Sequence, residues 1–270
     1  MNTFQKLARA WQRNYAHLEG ASFLTVSDLS VRYDGLPALD QVGFSLDGEE
    51  FVAVVGPNGA GKSTLFKTIA GVITPTSGRV TLGGHDPAGH ICIAYLPQRS
   101  DVDWGFPVSV KDVVMMGRVG KIGLFRNPSS ADWQVVEQSL EMVNMAKMSE
   151  RQISELSGGQ QQRVFIAQAL AQEAELLLMD EPLAGLDVPS QEEFFHVLQL
   201  LRERKVTLMV ATHDLGLAAA HFDKVMLLNG SLMGFGNPGE VLTEEQLVEA
   251  YGNHLHLIKT KDGVVFVEHK

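Results

Sequence analysis

One stretch of the chain combines residue types and spacing that suit the binding of a nucleotide phosphate. The run GPNGAGKST fits the loop pattern G-x-x-x-x-G-K-[ST]. In such a loop, backbone N–H groups surround phosphate oxygens at the start of a helix, and the glycines permit close approach. Lys62 is expected to reach the β- and γ-phosphates and the Ser63 hydroxyl to bind Mg²⁺. The predicted ligand contacts are those of Gly56, Pro57, Asn58, Gly59, Ala60, Gly61, Lys62, Ser63 and Thr64.

A second stretch places two adjacent carboxylates at the end of an apolar run. In LLLMDEP, which spans Leu176 to Pro182, Asp180 is positioned to bind the metal and Glu181 to act on the attacking water. Taken alone, Asp-Glu-Pro after a strand could equally be an ordinary turn. Its combination with the phosphate loop favours the catalytic interpretation.

The elements that must position these residues are short apolar segments. Runs of this kind are too short for buried helices and too apolar for edge strands, so we predict central parallel strands. In an open α/β sheet the ligand lies beyond the carboxyl ends of the strands, where the phosphate loop, the two carboxylates and His213 should converge. The runs in question are Phe51 to Val55, Leu176 to Met179 and Val206 to Ala211, after a β-like opening from Leu24 to Tyr33.

The segment from about Arg99 to Ser154 differs in pattern from the rest of the chain. It is rich in Met, largely helical in periodicity and interrupted by Gly and Pro. We therefore predict an α/β protein with a helical lobe, residues 99–154, inserted into its sheet domain. The predicted layout is an N-terminal amphipathic extension over residues 1–22, the sheet domain over 23–242 and a tail over 243–270.

The most specific motif is LSGGQQQR, Leu156 to Arg163, at the start of a predicted helix. It resembles the signature motif of the ABC ATPase family, and the neighbouring motifs match that family in order and spacing over roughly Leu24 to Leu242. The resemblance implies a P-loop ABC ATPase fold and a dimer that holds two ATPs. It also implies that each ATP is completed in trans by signature residues of the second copy: Ser157, Gly158, Gly159 and Gln160. The simpler alternative is a Ser N-cap followed by glycines.

The resemblance assigns further roles one position at a time. Tyr33 matches the aromatic that stacks on adenine, although an isolated strand tyrosine is more often a packing residue. Gln98 matches the glutamine that touches Mg²⁺ and the water, and Asp187 matches the loop that crosses the dimer interface. His213 matches the histidine that holds the γ-phosphate and the attacking water. The implied catalytic residues are Glu181, His213, Gln98 and Lys62, and the implied Mg²⁺ ligands are Ser63, Gln98 and Asp180.

Composition excludes several other classes of function. The chain has 270 residues and a formal net charge of -10, which makes nucleic acid a poor partner. Cys92 is the single cysteine, so neither an intrachain disulfide nor a Cys-rich zinc site can form. No run approaches the ~18 apolar residues of a membrane-spanning helix. The amphipathic extension could pack on its own subunit or a permease, lie on a membrane surface, or be disordered; its apolar residues are Phe4, Leu7, Ala8, Trp11, Tyr15 and Leu18.

The segment from Tyr95 to Phe125 resembles the corresponding part of manganese, zinc and iron importers. We therefore expect an ATPase on the cytoplasmic face of a membrane, bound to a second copy and a permease, with a solute-binding protein acting indirectly. Manganese or zinc is the expected cargo. In that family this surface meets the permease, so Trp104, Phe106 and Pro107 are candidate contacts, although Trp104 could instead pack in its own lobe.

Alternative functions remain open at this point. They are an ABC ATPase for another cargo such as an iron chelate, a non-transport ABC ATPase and a nucleotide-binding regulator without hydrolysis. A DNA-repair ATPase would have a long coiled coil between its phosphate loop and its signature. A ribosome-associated factor would usually carry two cassettes, and this chain has one phosphate loop. The presence of Glu181 and His213 argues against the regulator.

The carboxyl tail predicts a β-hairpin that turns around Lys261, Asp262 and Gly263. His254 and His256 would alternate onto one face of its first strand. Two histidines at that spacing can bind a metal ion, but a solvated strand face is the more usual explanation.

Overall fold

The computed structural model describes residues 22–86, 92–123, 126–252, 255–260 and 263–268. All but the last residue of the predicted N-terminal extension lies outside these residues. The chain divides into two compact units. In the part described, the helical unit comprises residues 92–123, 126–178 and 182–207, and the sheet unit comprises the remainder. None of the helices in the described ranges is both long and apolar enough to span a bilayer.

Eleven strands and nine α-helices are formed by the described residues. The strands are β1 (Leu24–Tyr33), β2 (Leu36–Leu46), β3 (Phe51–Val55), β4 (Ser77–Leu82), β5 (Ile93–Leu96), β6 (Leu176–Asp180), β7 (Thr207–Ala211), β8 (Lys224–Asn229), β9 (Ser231–Gly236), β10 (Leu255–Thr260) and β11 (Gly263–Glu268). The helices are α1 (Lys62–Ile69), α2 (Val110–Met116), α3 (Val119–Ile122), α4 (Ser130–Met142), α5 (Gly158–Gln172), α6 (Val188–Glu203), α7 (Leu215–His221), α8 (Pro238–Val241) and α9 (Glu244–Tyr251).

The strands form three sheets. A three-stranded antiparallel sheet has the order β2–β1–β4, and a six-stranded sheet has the order β5–β6–β7–β3–β8–β9. Strand β3 runs parallel to both β7 and β8, while β9 is antiparallel to β8. Strands β10 and β11 pair antiparallel, with Thr260 opposite Gly263, which confirms the predicted hairpin. His254 lies outside the described residues, and metal binding by His254 and His256 stays a prediction.

Burial explains why the central strands could be identified from sequence. Every residue of β3, β6 and β7 is buried, as expected for parallel strands covered on both faces. Strand β2 instead alternates buried and exposed residues along much of its length, because only one of its faces packs inward. The predicted central parallel strands are therefore confirmed as β3 and β7, which lie side by side.

In the helical unit, α2, α4 and α5 pack against one another. Ser109 caps the start of α2, while Ser129 and Asp132 form a capping box at α4. Such caps satisfy backbone N–H groups that have no partner within the helix. Helix α2 ends where Gly117 meets α5 so closely that an added Cβ would lie 2.3 Å from the Gln168 carbonyl oxygen. A side chain at position 117 would therefore separate the two helices.

A buried arginine joins three helices of this unit. Arg118 is 9% exposed and donates from Nη1 to the Ala171 carbonyl at 2.9 Å, near the end of α5. The same guanidinium pairs with Glu173 at 2.6 Å and with Asp132, at the start of α4, at 3.2 Å. Lys121 on α3 also pairs with Glu173. The hydrogen bonds from Ser129, together with Arg118, hold the pKa of Asp132 below its ordinary value. This cluster fixes the far end of α5 relative to α3 and α4.

Candidate nucleotide site

The phosphate loop joins β3 to α1 within the sheet unit, and two of its glycines are required by their surroundings. Gly61 has φ +94°, and a Cβ there would lie 2.6 Å from the Ala38 carbonyl oxygen. At Gly56 an added Cβ would lie 1.9 Å from the Leu228 carbonyl oxygen. Only glycine fits so close to neighbouring backbone. The loop is further tied to the sheet unit by a hydrogen bond from the Gly230 N–H to the Ala60 carbonyl at 2.9 Å.

Lys62 folds back over the loop that precedes it. Its Nζ donates to the carbonyls of Gly56 at 2.6 Å and Pro57 at 3.1 Å, and the residue is only 7% exposed. An ammonium group buried to this degree must be compensated by oxygen acceptors. The same acceptors hold it beside the first residues of α1, where the phosphates of a nucleotide would lie.

Asp180 is the last residue of β6 and is 4% exposed. Burial raises the pKa of its carboxyl group above the ordinary value, and Glu181 acts in the same direction. A hydrogen bond from the Ser63 hydroxyl and the charge of Lys62 oppose that rise. The structure thus brings together Ser63, Lys62 and Asp180, as the sequence predicted. A buried carboxylate beside a hydroxyl suits a bound cation.

Glu181 follows in a left-handed backbone conformation, φ +48°, which is uncommon for a residue with a side chain. Its N–H donates to the Ala211 carbonyl, at the end of β7, at 3.0 Å. The glutamate Oε2 lies 3.6 Å from Nδ1 of His213. The histidine is held two residues beyond β7, where Thr212 donates its N–H to the Val54 carbonyl at 3.0 Å. Glu181 and His213 therefore face each other at the ends of two strands.

Tyr33, the predicted adenine contact, ends β1 and is 47% exposed. The next two residues, Asp34 and Gly35, both have positive φ and form the turn into β2. Leu36 follows the turn and is 73% exposed. An aromatic and an aliphatic side chain exposed at one turn are available for a planar ligand, and buried packing does not account for Tyr33.

The signature residues lie in the helical unit at the start of α5. Ser157 accepts a hydrogen bond from the Gln160 N–H at 3.4 Å, and the Gln160 side chain accepts one from the Ser157 N–H at 3.0 Å. Ser157 is exposed. At Gly159 an added Cβ would lie 2.8 Å from the side chain of Ser190 on α6. Ser157 is therefore a helix cap with an exposed side chain, and the contact of these residues with the ATP of a second copy stays a prediction.

Two other predicted residues also belong to the helical unit. Gln98 precedes a 3₁₀ turn over Arg99–Asp101 and is half-buried. Asp187 is the N-cap of α6 and makes no capping bond with its side chain. It is exposed, and Val188 beside it is 67% exposed. An uncapped acid next to an exposed valine is consistent with a surface that meets another chain.

A groove of about 280 Å³ lies in the helical unit and is lined by aromatic and aliphatic side chains. The side chains of Phe106 and Met116 are exposed in this groove, whereas that of Trp104 is half-buried. The indole Nε1 donates to the Arg99 carbonyl at 2.8 Å, and the ring packs edge-on against Phe165 at 5.4 Å. Of the three candidate permease contacts, Phe106 and Pro107 are exposed, while Trp104 packs largely within its own unit.

The metal predicted at this site is Mg²⁺, and the residues present fit it. Mg²⁺ prefers hard oxygen ligands and is usually held by one or two carboxylates together with substrate phosphates. The Ser63 hydroxyl and the Asp180 carboxylate are such ligands and already touch each other. No cluster of three or more His, Cys, Asp or Glu residues that could hold a metal ion occurs within the described ranges. Ser63 and Asp180 therefore suit a Mg²⁺ ion that is bound together with the nucleotide phosphates.

The profile of the ABC transporter family matches residues 39–184, which include the phosphate loop, the signature turn and Asp180 with Glu181. The chain belongs to the ABC transporter family. The manganese transport system ATP-binding protein MntB of Halalkalibacterium halodurans is 44% identical over 90% of this chain and 97% of its own length. The chelated iron transport system membrane protein YfeB of Yersinia pestis is 44% identical over 87% of this chain and 81% of its own.

Solved ABC transporter structures share the fold. A chain from an inward-facing metal-chelate type ABC transporter has a TM-score of 0.78 and 31% identity, and the match covers 93% of this chain and 98% of the other. The α/β fold with its P-loop, predicted from the motifs, is therefore confirmed, and this ABC chain is an ATPase of the transporter class.

Sequence reasoning did not identify Arg99 or Arg118 as structurally important. Arg99 directly follows Gln98, and its guanidinium lies against the signature turn. Arg118 stands between Gly117 and Val119, while its carboxylate partners are 14 and 55 residues away. No local pattern in the sequence indicates either contact. The only available signal was at Arg118, a cation set among apolar and glycine residues.

Proposed function

We propose that this chain is the ATP-hydrolysing subunit of a metal importer and works as a dimer around two ATPs on the cytoplasmic side of a separate permease. The observation that carries the proposal is the convergence of Lys62, Ser63, Asp180, Glu181 and His213 on one phosphate loop. Phosphoryl transfer requires little of a protein beyond positioning and charge stabilisation. These five side chains supply both.

Each residue has a distinct role in this proposal. The loop N–H groups and Lys62 hold the phosphates once the ammonium leaves the Gly56 and Pro57 carbonyls. The Ser63 hydroxyl and the Asp180 carboxylate would hold Mg²⁺, which would offset negative charge on the phosphates. Glu181 accepts a hydrogen bond from the attacking water, and its left-handed backbone conformation aims the carboxylate toward His213. His213 holds the water and the γ-phosphate.

The dimer is proposed because the signature turn is already formed in a single chain and presents Ser157 to solvent. Ser157, Gly158, Gly159 and Gln160 form a capped helix start that contributes phosphate-directed N–H groups. Asp187 with Val188 would lie at the same interface, and Tyr33 would stack on the adenine of its own chain's ATP. Two copies in opposite orientation would complete two equivalent sites, as expected for a closed symmetric pair.

The test of this arrangement is Glu181→Gln. The amide cannot act as a base, so turnover should fall about 10²- to 10⁴-fold, while nucleotide binding persists. Light scattering after size-exclusion chromatography should then detect a dimer with ATP and Mg²⁺ and a monomer with ADP. A variant that remains monomeric at millimolar ATP would contradict the composite site. Loss of ATP binding together with turnover would contradict the role given to Glu181.

The cargo is proposed to be a divalent transition metal, manganese or zinc. Support comes from the likeness of Tyr95 to Phe125 to metal importers and from a relative that transports manganese. A relative of equal identity transports chelated iron, which is the competing cargo. The metal is proposed to cross through the permease, so the isolated subunit should hold no stoichiometric transported metal. The groove with Phe106 is the proposed docking surface for that permease.

The cargo assay uses the complex reconstituted with its permease and binding protein. Manganese, zinc, a ferric chelate and an amino acid are offered in turn, and ATP hydrolysis is followed. We expect manganese or zinc to stimulate the complex and to leave the isolated subunit unchanged. Stimulation by the ferric chelate alone would assign the cargo to chelated iron. Stimulation by the amino acid alone would remove the metal assignment, and none by any solute would favour an ATPase outside transport.

A further inference from the structure

Arg99 is held between the docking groove and the signature turn. Its Cζ lies 5.9 Å from the centre of the Trp104 ring, a cation–π geometry, and its carbonyl accepts the indole N–H of the same tryptophan. On the other side, a Cβ built at Gly158 would be 3.0 Å from Nη1 and 3.2 Å from Cζ of Arg99. The guanidinium therefore occupies the space that a side chain at Gly158 would take.

The surroundings of this cation are unusual in their charge. Within the described part of the chain, Arg99 forms no ion pair with a carboxylate, although Arg118 and Arg163 in the same unit both pair with carboxylates. It lies beside the first turn of α5, where the helix dipole is positive and opposes a cation. Trp104 nevertheless holds it there. The Arg99 guanidinium and the positive end of the α5 dipole repel each other, but both would attract a bound anion.

Arginine suits such a role because its planar guanidinium can stack on an aromatic ring and still donate to phosphate oxygens. Arg99 is exposed, so its donors can reach a ligand that approaches Gly158 from outside the chain. We propose that Arg99 is a further nucleotide-contacting residue, which binds the γ-phosphate of the ATP held by the second copy. This inference rests on the proposed function, since it requires the dimer that encloses ATP.

The experiment uses the full chain with Glu181→Gln as the parent variant, so that ATP hydrolysis does not dissociate the dimer. Arg99→Met is added to the parent, and the ATP concentration for half-maximal dimerisation is measured by light scattering. We expect it to rise about 10- to 100-fold, the range for losing a hydrogen bond to a charged group. Binding of a fluorescent ATP analogue to the isolated monomer should stay within about twofold, because its own phosphate loop is intact.

Two further variants separate charge from packing. Arg99→Lys keeps the cation and loses the planar stack, so it should recover most of the dimerisation if phosphate binding is the role. Arg151→Met removes an exposed arginine of the same unit whose side chain forms no hydrogen bond or ion pair among the described residues, and it should behave as the parent. Equal loss in Arg99→Met and Arg99→Lys, with a lowered melting temperature in both, would overturn the assignment in favour of packing.

The remaining outcomes distinguish this inference from the proposed function. If the parent forms an ATP-dependent dimer and Arg99→Met forms it at the same ATP concentration, only the assignment of Arg99 is overturned. If the parent forms no dimer at all, the proposed composite site fails, and the assignment of Arg99 fails with it. The contact in trans would also be overturned if Arg99→Met weakened two quantities by the same factor. These are ATP-dependent dimerisation and the binding of the fluorescent ATP analogue to the monomer.

Discussion

The phosphate loop and the signature turn are both glycine-containing starts of helices, yet their surroundings differ. Gly56 and Gly61 of the phosphate loop lie against backbone of their own unit, and Lys62 is buried on the loop carbonyls. The signature turn is capped by its own Ser157 and Gln160, and Ser157 is exposed while Gly159 is buried against Ser190. One helix start packs closely within its own unit, and the other presents Ser157 to solvent, where we propose that the ATP of a second copy binds.

The largest effect is expected from Gly56→Ala. An alanine Cβ would overlap the Leu228 carbonyl oxygen, so the loop must leave its present path. Strain of this kind costs about 3 kcal/mol or more, which predicts a loss of ATP affinity on the order of 100-fold. Isothermal titration with ATP and Mg²⁺ measures it.

The control for that prediction is Gly59→Ala, where φ is also positive but a Cβ would meet nothing within 4 Å. It should lose about tenfold in affinity from backbone strain alone. Equal losses in the two variants would show that contact with Leu228 is unimportant.

Ser157→Arg addresses the other half of the comparison. A long cation at the exposed turn blocks the approach of a second chain's ATP while the monomer's own phosphate loop is untouched. Hydrolysis should fall at least about 100-fold, as for the loss of preorganised charge stabilisation, and ATP affinity of the monomer should stay within about twofold. Ser154→Arg, an exposed site four residues before Gly158, should retain normal ATPase. Parallel loss of binding and turnover in Ser157→Arg would remove the division between the two helix starts.

Arg118→Met tests how firmly the signature helix is anchored at its far end. The substitution leaves Asp132 and the Ala171 carbonyl without their buried partner, which predicts a loss of about 3 kcal/mol in the free energy of unfolding. Lys111→Met removes an ion pair with Glu150 whose side chains are 33% and 75% exposed, and should cost under about 1 kcal/mol. Urea denaturation measures both variants. Similar losses in the free energy of unfolding for Arg118→Met and Lys111→Met would mean that the burial of Arg118 does not increase its contribution to stability.

The smallest effect is expected from Phe106→Ala, which removes an exposed ring from the groove. It should weaken the response of ATPase to the permease by about tenfold, the effect of a modest interface anchor, and leave the free subunit unchanged. Leu200→Ala, an exposed apolar residue on α6, serves as its control. Trp104→Ala should instead lower the melting temperature, because Trp104 packs on Phe165. A lowered melting temperature of the free Phe106→Ala subunit would contradict the role of Phe106 as a permease contact.

The sequence predicted the parts of the fold in which local pattern and burial agree. Parallel strands buried on both faces are continuous apolar runs, so β3, β6 and β7 could be recognised to within a residue or two. Motif spacing predicted Lys62, Ser63 and Asp180 as one cluster, because the carboxyl ends of such strands meet at one edge. The hairpin of β10 and β11 followed from its turn residues.

Contacts between distant residues could not be predicted in this way. The sequence does not specify that the Trp104 indole donates a hydrogen bond to the Arg99 carbonyl. The indole also packs against Phe165 on α5, a contact between distant parts of the chain. The partners of Arg118 are likewise decided by how α4 and α5 pack. The left-handed backbone of Glu181 had no signal, since nothing in Asp-Glu-Pro specifies positive φ. These features arise from tertiary packing, which overrides local preference.

The two carbonyl bonds of Lys62 bear on how the protein passes from one turnover to the next. When product leaves, the ammonium can return to Gly56 and Pro57, so no buried charge is left uncompensated. The loop thus supplies oxygen acceptors to its own ammonium group, and the charge of Lys62 does not depend on a ligand for its compensation.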